Sequence, residues 1–302
     1  MDNIITQMIV LFIIVIVGYA ASKLHYMEEE FDRKLSNFII DFTCPALILS
    51  SVMGNQLPDR SLILPLFGIG LLTYILLAIV ATLLAKVMTK DNERQGILGF
   101  MLTFGNVGFI GYPVAHALFG PDAVFYAAVI NFSNSLFIFP LGSWQVSGDS
   151  KKSGLHWKTF LSPMLIGCYM AMIICAMDYH TPEVISKPLQ MLGQITVPGS
   201  VLVIGSSMAR IPLKKMVGSP IVYLTSLLRL LVIPALFYEL FLALGFDPYV
   251  VRINTILIAM PVAAFGVMFC NRYQRDPSLM VEGTFITTIA SIISIPLITL
   301  IF

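Results

Sequence analysis

Gly105-Asn-Val-Gly-Phe-Ile-Gly-Tyr-Pro113 sets three glycines and a proline inside an apolar run, residues 95–119, long enough to cross a bilayer. A second run, residues 249–271, is interrupted in the same way by Met260-Pro-Val-Ala-Ala-Phe-Gly266. Proline removes a backbone donor and clashes with the preceding turn. The carbonyls it frees cannot stay bare in lipid and must face protein or a water-filled cavity. Two interrupted spans at corresponding places therefore point to a site in the middle of the membrane.

The rest of the chain supplies the membrane around them. Of 302 residues, 57% are hydrophobic and 12% charged, against roughly 25% charged in an average soluble domain. Apolar runs follow one another almost without a gap, at 5–24, 35–54, 61–86, 95–119, 121–144, 159–178, 184–209, 217–245, 249–271 and 277–301. Ten transmembrane helices are expected, in an all-α membrane protein. The first run is read as a retained helix and not a signal peptide, because Met1-Asp-Asn carries an acid where a signal peptide is basic.

Lys and Arg fall unevenly between alternate loops. One side collects Lys23, Arg33, Lys34, Lys86, Lys90, Arg94, Lys151, Lys152, Lys158, Arg210, Lys214, Lys215, Arg272 and Arg275; the other has Arg60, Lys187 and Arg252. The positive-inside rule then places both termini outside and the central loop in the cytoplasm, with a bacterial cytoplasmic (inner) membrane as the expected location.

The chain also repeats itself. Thr43-Cys-Pro45 returns as Thr196-Val-Pro198, Pro113-Val-Ala115 as Pro261-Val-Ala263, and Pro121 and Pro140 as Pro277 and Pro296. The expected halves are residues 1–148 and 159–302, joined by a cytoplasmic linker at 149–158. Five helices per half is an odd number, so the second half is expected upside down. Inverted repeats of this kind give transporters two related conformations, with the substrate at the interrupted helices near the midplane. The half-helix N-termini at such breaks favour an anion.

Asn106-Val-Gly-Phe-Ile-Gly-Tyr-Pro113 resembles the Asn-x5-(small or apolar)-Pro crossover motif of the auxin efflux carrier family, which includes plant auxin exporters and bacterial permeases for malate and related acids. Ala259-Met-Pro261, Val267-Met-Phe-Cys-Asn-Arg-Tyr273 and Asp276-Pro277 are similar to its ninth-helix crossover and following loop, and Phe42-Thr-Cys-Pro-Ala-Leu-Ile-Leu-Ser50 to its second-helix signature. The resemblance implies crossing fourth and ninth helices and an elevator movement. Scaffold and crossover domains would each be built from both repeats, in a homodimer. It implies that Asn106, Pro113 and Pro261 belong to the substrate region, and Gly105, Tyr112, Met260 and Ala264, in the same two interrupted stretches, are expected to join them. Plant exporters carry a second asparagine at the ninth-helix crossover, where this chain reads Val262-Ala-Ala-Phe-Gly266.

Polar residues inside the runs are the remaining candidates. Arg229 either faces the substrate or pairs with an acid such as Asp41 or Glu239, or it snorkels. Asp41, four residues before Pro45, is placed for proton or sodium coupling or for a structural role at the interface. Asn131 and Ser135 offer oxygens to sodium or simply pack. Glu282 reads as interfacial, and His116 as a proton acceptor or a packed histidine.

The expected function is secondary transport of a small organic anion, a dicarboxylate such as malate or an auxin-like carboxylate. Na+ or H+ coupling is compatible with these residues, and no cofactor or metal is expected. A channel or membrane sensor built from the same helices is the alternative. No Walker motif, HExxH or GxSxG occurs, so neither ATP-driven transport nor an intramembrane enzyme is expected. No basic block suggests nucleic acid. The four cysteines, Cys44, Cys168, Cys175 and Cys270, lie singly in apolar runs and read as packing residues.

Overall fold

The computed structural model describes residues 2–53, 59–148, 161, 163–177, 179–210, 219–263 and 265–302. The expected linker at 149–158 and Ala264 lie outside the described residues. Among those that are described, the chain is helical throughout and forms no strand.

In chain order the helices are α1 (Asp2–Lys23), α2 (Glu29–Phe38), α3 (Cys44–Ser50), α4 (Ile63–Met88), α5 (Asn92–Thr103), α6 (Tyr112–Phe119), α7 (Asp122–Phe137), α8 (Ser143–Ser147), α9 (Pro163–Ala176), α10 (Glu183–Gly193), α11 (Thr196–Ala209), α12 (Pro220–Leu227), α13 (Ile233–Ala243), α14 (Pro248–Ile258), α15 (Phe265–Arg272) and α16 (Ser278–Thr299). Four continuous stretches among the described residues are long and apolar enough to cross a membrane: Ile63–Met88, Glu183–Ser206, Pro220–Ala243 and Ser278–Thr299. Asp122–Phe137 with Pro140–Ser147, bent by 41°, makes a fifth. Four or five such spans among the described residues stand where ten were expected, and shorter apolar helices occupy Ile13–Lys23, Val107–Phe119, Leu165–Ala176 and Pro248–Ile258.

Wide, π-type turns explain several of those joints. They occupy Ile39–Thr43, Val107–Gly111, Ile138–Gly142 and Leu228–Val232. Pro45, Pro113 and Pro234 each stand second in the helix that follows such a turn. A proline cannot donate to the carbonyl four residues back, and an extra residue in the turn relieves the clash. These prolines thus widen the helix without breaking it.

The chain divides into two compact units. The first comprises residues 1–66, 108–129 and 157–211; the second comprises 67–107, 130–156 and 212–302. Each unit takes segments from both halves of the sequence.

Within the first unit, α1 lies against α11 at backbone-contact distance. A Cβ on Gly18 would come within 2.2 Å of the Leu202 carbonyl oxygen, and one on Gly205 within 2.0 Å of that of Val15. Helix α3 packs against α9 and α10. The buried Thr196 hydroxyl donates to that of Thr43 at 2.9 Å, across 153 residues of sequence. These are the repeat-equivalent threonines of Thr43-Cys-Pro45 and Thr196-Val-Pro198. At the end of α11, Arg210 pairs with the buried Asp32 of α2 and also donates to Ser206 Oγ at 2.9 Å.

Within the second unit, α5 packs on α8 and α16, and Phe100 meets Phe104 and Phe269 in ring contacts. Thr73 of α4 and Asn254 of α14, both fully buried, hydrogen-bond each other at 2.9 Å. Arg275 bridges Glu93 at 3.1 Å and the Ser147 carbonyl at 2.7 Å. Asp276 accepts the Ser278 N–H and Oγ–H at the start of α16, and these bonds hold its carboxyl below the usual range.

Candidate functional site

The site builds up from a break in each of two spans of the second unit. Helix α5 stops at Thr103, and Phe104 is extended, with φ −109° and ψ 119°. Helix α14 stops at Ile258, and α15 starts at Phe265. The two uncoiled stretches lie antiparallel. Gly105 bridges Val262, the Asn106 N–H donates to the Pro261 carbonyl at 2.8 Å, and the Ala263 N–H donates to the Phe104 carbonyl at 3.0 Å. The Val262 N–H finds Thr287 Oγ1 of α16 at 3.1 Å. Each break thus meets the hydrogen-bonding needs of the other, as backbone in an apolar surround requires.

Arg229 completes the arrangement from the wide turn Leu228–Val232. Its side chain is 1% exposed. Nη1 donates to the carbonyls of Leu102 at 2.8 Å and Thr103 at 3.1 Å, and Nε to that of Met260 at 3.2 Å. These are the carbonyls left without partners at the ends of α5 and α14. Of the acids expected beside Arg229, Glu239 of the same unit forms no ion pair with it among the described residues. Glu239 is exposed on α13 and Asp41 belongs to the first unit, while the carbonyl oxygens supply the acceptors. Gly105 is required by the guanidinium: a Cβ there would lie 2.2 Å from Arg229 Nη2.

Gly105, Asn106, Met260, Pro261 and Arg229 are therefore brought together in one unit. The Asn106 backbone is committed to Pro261, but its half-buried side-chain amide makes no hydrogen bond to another described residue. Asn131 and Ser135 lie on α7 in the same unit. There Asn131 Oδ1 accepts from Asn134 Nδ2 at 2.9 Å, and its backbone carbonyl accepts from Ser135 Oγ at 3.1 Å. Glu282 is half-exposed near the start of α16.

Tyr112, Pro113 and Asp41 belong to the first unit. Tyr112 and Pro113 are buried at the start of α6, and Asp41 is exposed in the wide turn after α2. The interruption of the fourth span was expected to extend to Pro113. It lies at Phe104–Asn106 instead, because Pro113 is accommodated by the wide turn Val107–Gly111 ahead of it. Thr103, Thr287 and Gln145 also support the site; Gln145 Nε2 reaches Thr103 Oγ1 at 3.4 Å. Thr103 and Thr287 carry no sequence signal beyond being polar in an apolar run, and Gln145 falls just past the end of the run at 121–144.

A family model described as "Membrane transport protein" matches residues 3–153 and again residues 150–299. The chain belongs to this family, that of the auxin efflux carriers. It is similar to an uncharacterized transporter of Methanocaldococcus jannaschii, 27% identical over 300 residues and 96% of each chain. An uncharacterized transporter of Methanothermobacter thermautotrophicus is 24% identical over 287 residues and 94% of each chain. A Rhizobium meliloti protein named "Putative malonate transporter" is 23% identical over 295 residues, 93% of this chain and 90% of its own. Together with the apolar helices, the family makes this a multi-pass membrane protein of the transporter class.

Proposed function

We propose that the protein is a secondary carrier of a small organic anion, with dicarboxylates such as malonate and malate the first class to test. Ten spans form two inverted repeats, residues 1–148 and 159–302. The paired breaks are where the fourth and ninth spans cross. A crossover domain moving against a scaffold domain by an elevator-type step, each built from both repeats, carries the cargo between the two faces of a cytoplasmic membrane. Both termini lie outside, and two copies associate. Asp41, Asn131, Ser135, Arg229 and Glu282 are the candidates for ion coupling or intramembrane charge.

One observation supports this above the rest. Two uncoiled stretches meet at Gly105–Asn106 and Pro261–Val262, and beside them stands an amide with no described partner. Buried polar groups normally find partners, and the Asn106 amide offers both a donor and an acceptor to a carboxylate or to water.

Purified protein in proteoliposomes tests the proposal. Saturable counterflow of labelled malonate or malate is expected for a carrier, whereas a channel gives none. Ligands that bind the native state raise the melting temperature, so a panel of organic acids, each with and without sodium, identifies cargo and coupling ion. Asn106→Ala is expected to abolish the shift of the best acid. An unchanged shift places the site elsewhere.

A further inference from the structure

We infer that Arg229 is a positioning residue that sets the charge of the cargo, by neutralising the two helix C-termini at the paired breaks without touching the cargo itself. The inference rests on the carrier reading above and deepens it.

Helices α5 and α14 both end at the breaks, each presenting a C-terminus. A helix C-terminus carries about half a negative charge, concentrated in its last free carbonyls. Two such ends, at Leu102–Thr103 and at Met260, would offset the attraction for an anion of the helix N-termini that begin at Val107 and Phe265. One guanidinium, hydrogen-bonded to the carbonyls of both ends, places a full positive charge against those two partial negative ones. No Asp or Glu among the described residues pairs with Arg229, so its charge is met chiefly by carbonyl dipoles, with the buried Tyr74 near it.

The arrangement is built for this. Residue 105 is glycine, and its missing Cβ leaves the room that Arg229 Nη2 occupies. It enters from a wide turn, Leu228–Val232, that redirects one residue of an otherwise apolar span. A neutral hydrogen-bond donor at this place could satisfy carbonyls equally well. A cation there does more. At an effective dielectric near 20, a unit charge roughly 10 Å from a carboxylate changes affinity by about tenfold.

The experiment is calorimetric titration of the whole purified protein with malonate, succinate and malate, each beside its half-amide and diamide. These analogues keep size and hydrogen bonding while stepping the charge down. For the unmodified protein, affinity is expected to fall by about tenfold for each carboxylate converted to amide. Arg229→Met is expected to flatten the series, and Arg229→Lys to keep its slope with weaker binding throughout. Gly105→Ala, which forces the guanidinium aside while leaving the charge in the chain, is expected to reduce the slope as well.

A purely structural role for Arg229 weakens acids and amides by the same factor in Arg229→Met, and that result overturns the inference while leaving the carrier intact. Should the methionine variant not fold, Arg229→Lys decides: a flattened series with the charge retained also overturns it. An unmodified protein that binds amides as tightly as acids removes the charge role alone. One that binds no member of the panel removes the organic-anion reading and this inference together.

Discussion

At the scale of single residues, the buried hydroxyl pair Thr43–Thr196 is the sharpest test of packing in the first unit. Thr196 donates to Thr43, and Thr43 donates on to the Ile39 carbonyl at 3.3 Å. Replacing Thr43 by valine conserves shape but strands the Thr196 hydroxyl, at about 1–3 kcal/mol. The double variant Thr43→Val/Thr196→Val removes both polar groups. It is expected to recover part of that loss, which thermal unfolding in detergent will show as a non-additive cycle. Additive losses would mean that the two hydroxyls do not act as a pair.

The same scale shows what a bare sequence conceals. Asn106 and Pro261 stood out by residue type, and the structure brings them to 2.8 Å. Arg229 stood out too, as a charge in an apolar run, but its partners are backbone carbonyls. A carbonyl is present at every position, so no residue pattern marks which three will be left free. Pro113 misled for a related reason. Proline announces a lost donor, and whether the chain answers with a break or with a wider turn depends on the turn before it.

At the scale of elements, two glycines decide how closely α1 and α11 approach. Gly18 faces the Leu202 carbonyl and Gly205 faces that of Val15, each without room for a methyl group. Because the obstructing atoms are backbone, relief requires the helices to part. Gly205→Ala is expected to destabilise the protein by about 1–3 kcal/mol, read as a lower melting temperature. Gly68→Ala is the control, with nothing within 4 Å of the added atom.

The two ion pairs that tie helix ends together should differ as their burial differs. In the first unit the Asp32 side chain is 5% exposed, so Arg210→Met leaves a buried carboxylate without its partner. A loss of about 3 kcal/mol is expected. In the second unit, Glu93 and Arg275 are each more than a third exposed, and Glu93→Gln is expected to cost about 0–1 kcal/mol. Equal effects in unfolding measurements would contradict the burial argument. Helix existence was largely legible in the apolar runs, since bilayer thickness dictates their length. The joints within them were not, because a five-residue wide turn such as Leu228–Val232 preserves the hydrophobic pattern on both sides.

At the scale of the whole molecule, the repeat and the compact units cut the chain differently. Residues 1–66 share a unit with 157–211, and 67–107 share one with 212–302. Neither half of the sequence therefore contains a complete unit. Residues 1–148 expressed alone are expected to be degraded or aggregate, and so are residues 149–302. Co-expression should restore a complex that elutes with the intact protein in size-exclusion chromatography. A half that is stable and monodisperse alone would show that the units do not depend on both. Membrane class and repeat were readable from hydropathy and from recurring prolines. The interleaving was not, because it depends on which helices pack together, and apolar residues of similar composition do not declare their neighbours.

The threonine pair carries one more consequence. In a symmetric dimer, a residue that bonds its own copy must sit at the dyad. If the halves descend from one duplicated gene, the ancestor was a dimer of chains about half this length, whose threonine met itself across the axis. Fusion then released the two copies from identity. A single arginine such as Arg229 is the kind of departure from symmetry that one fused chain allows.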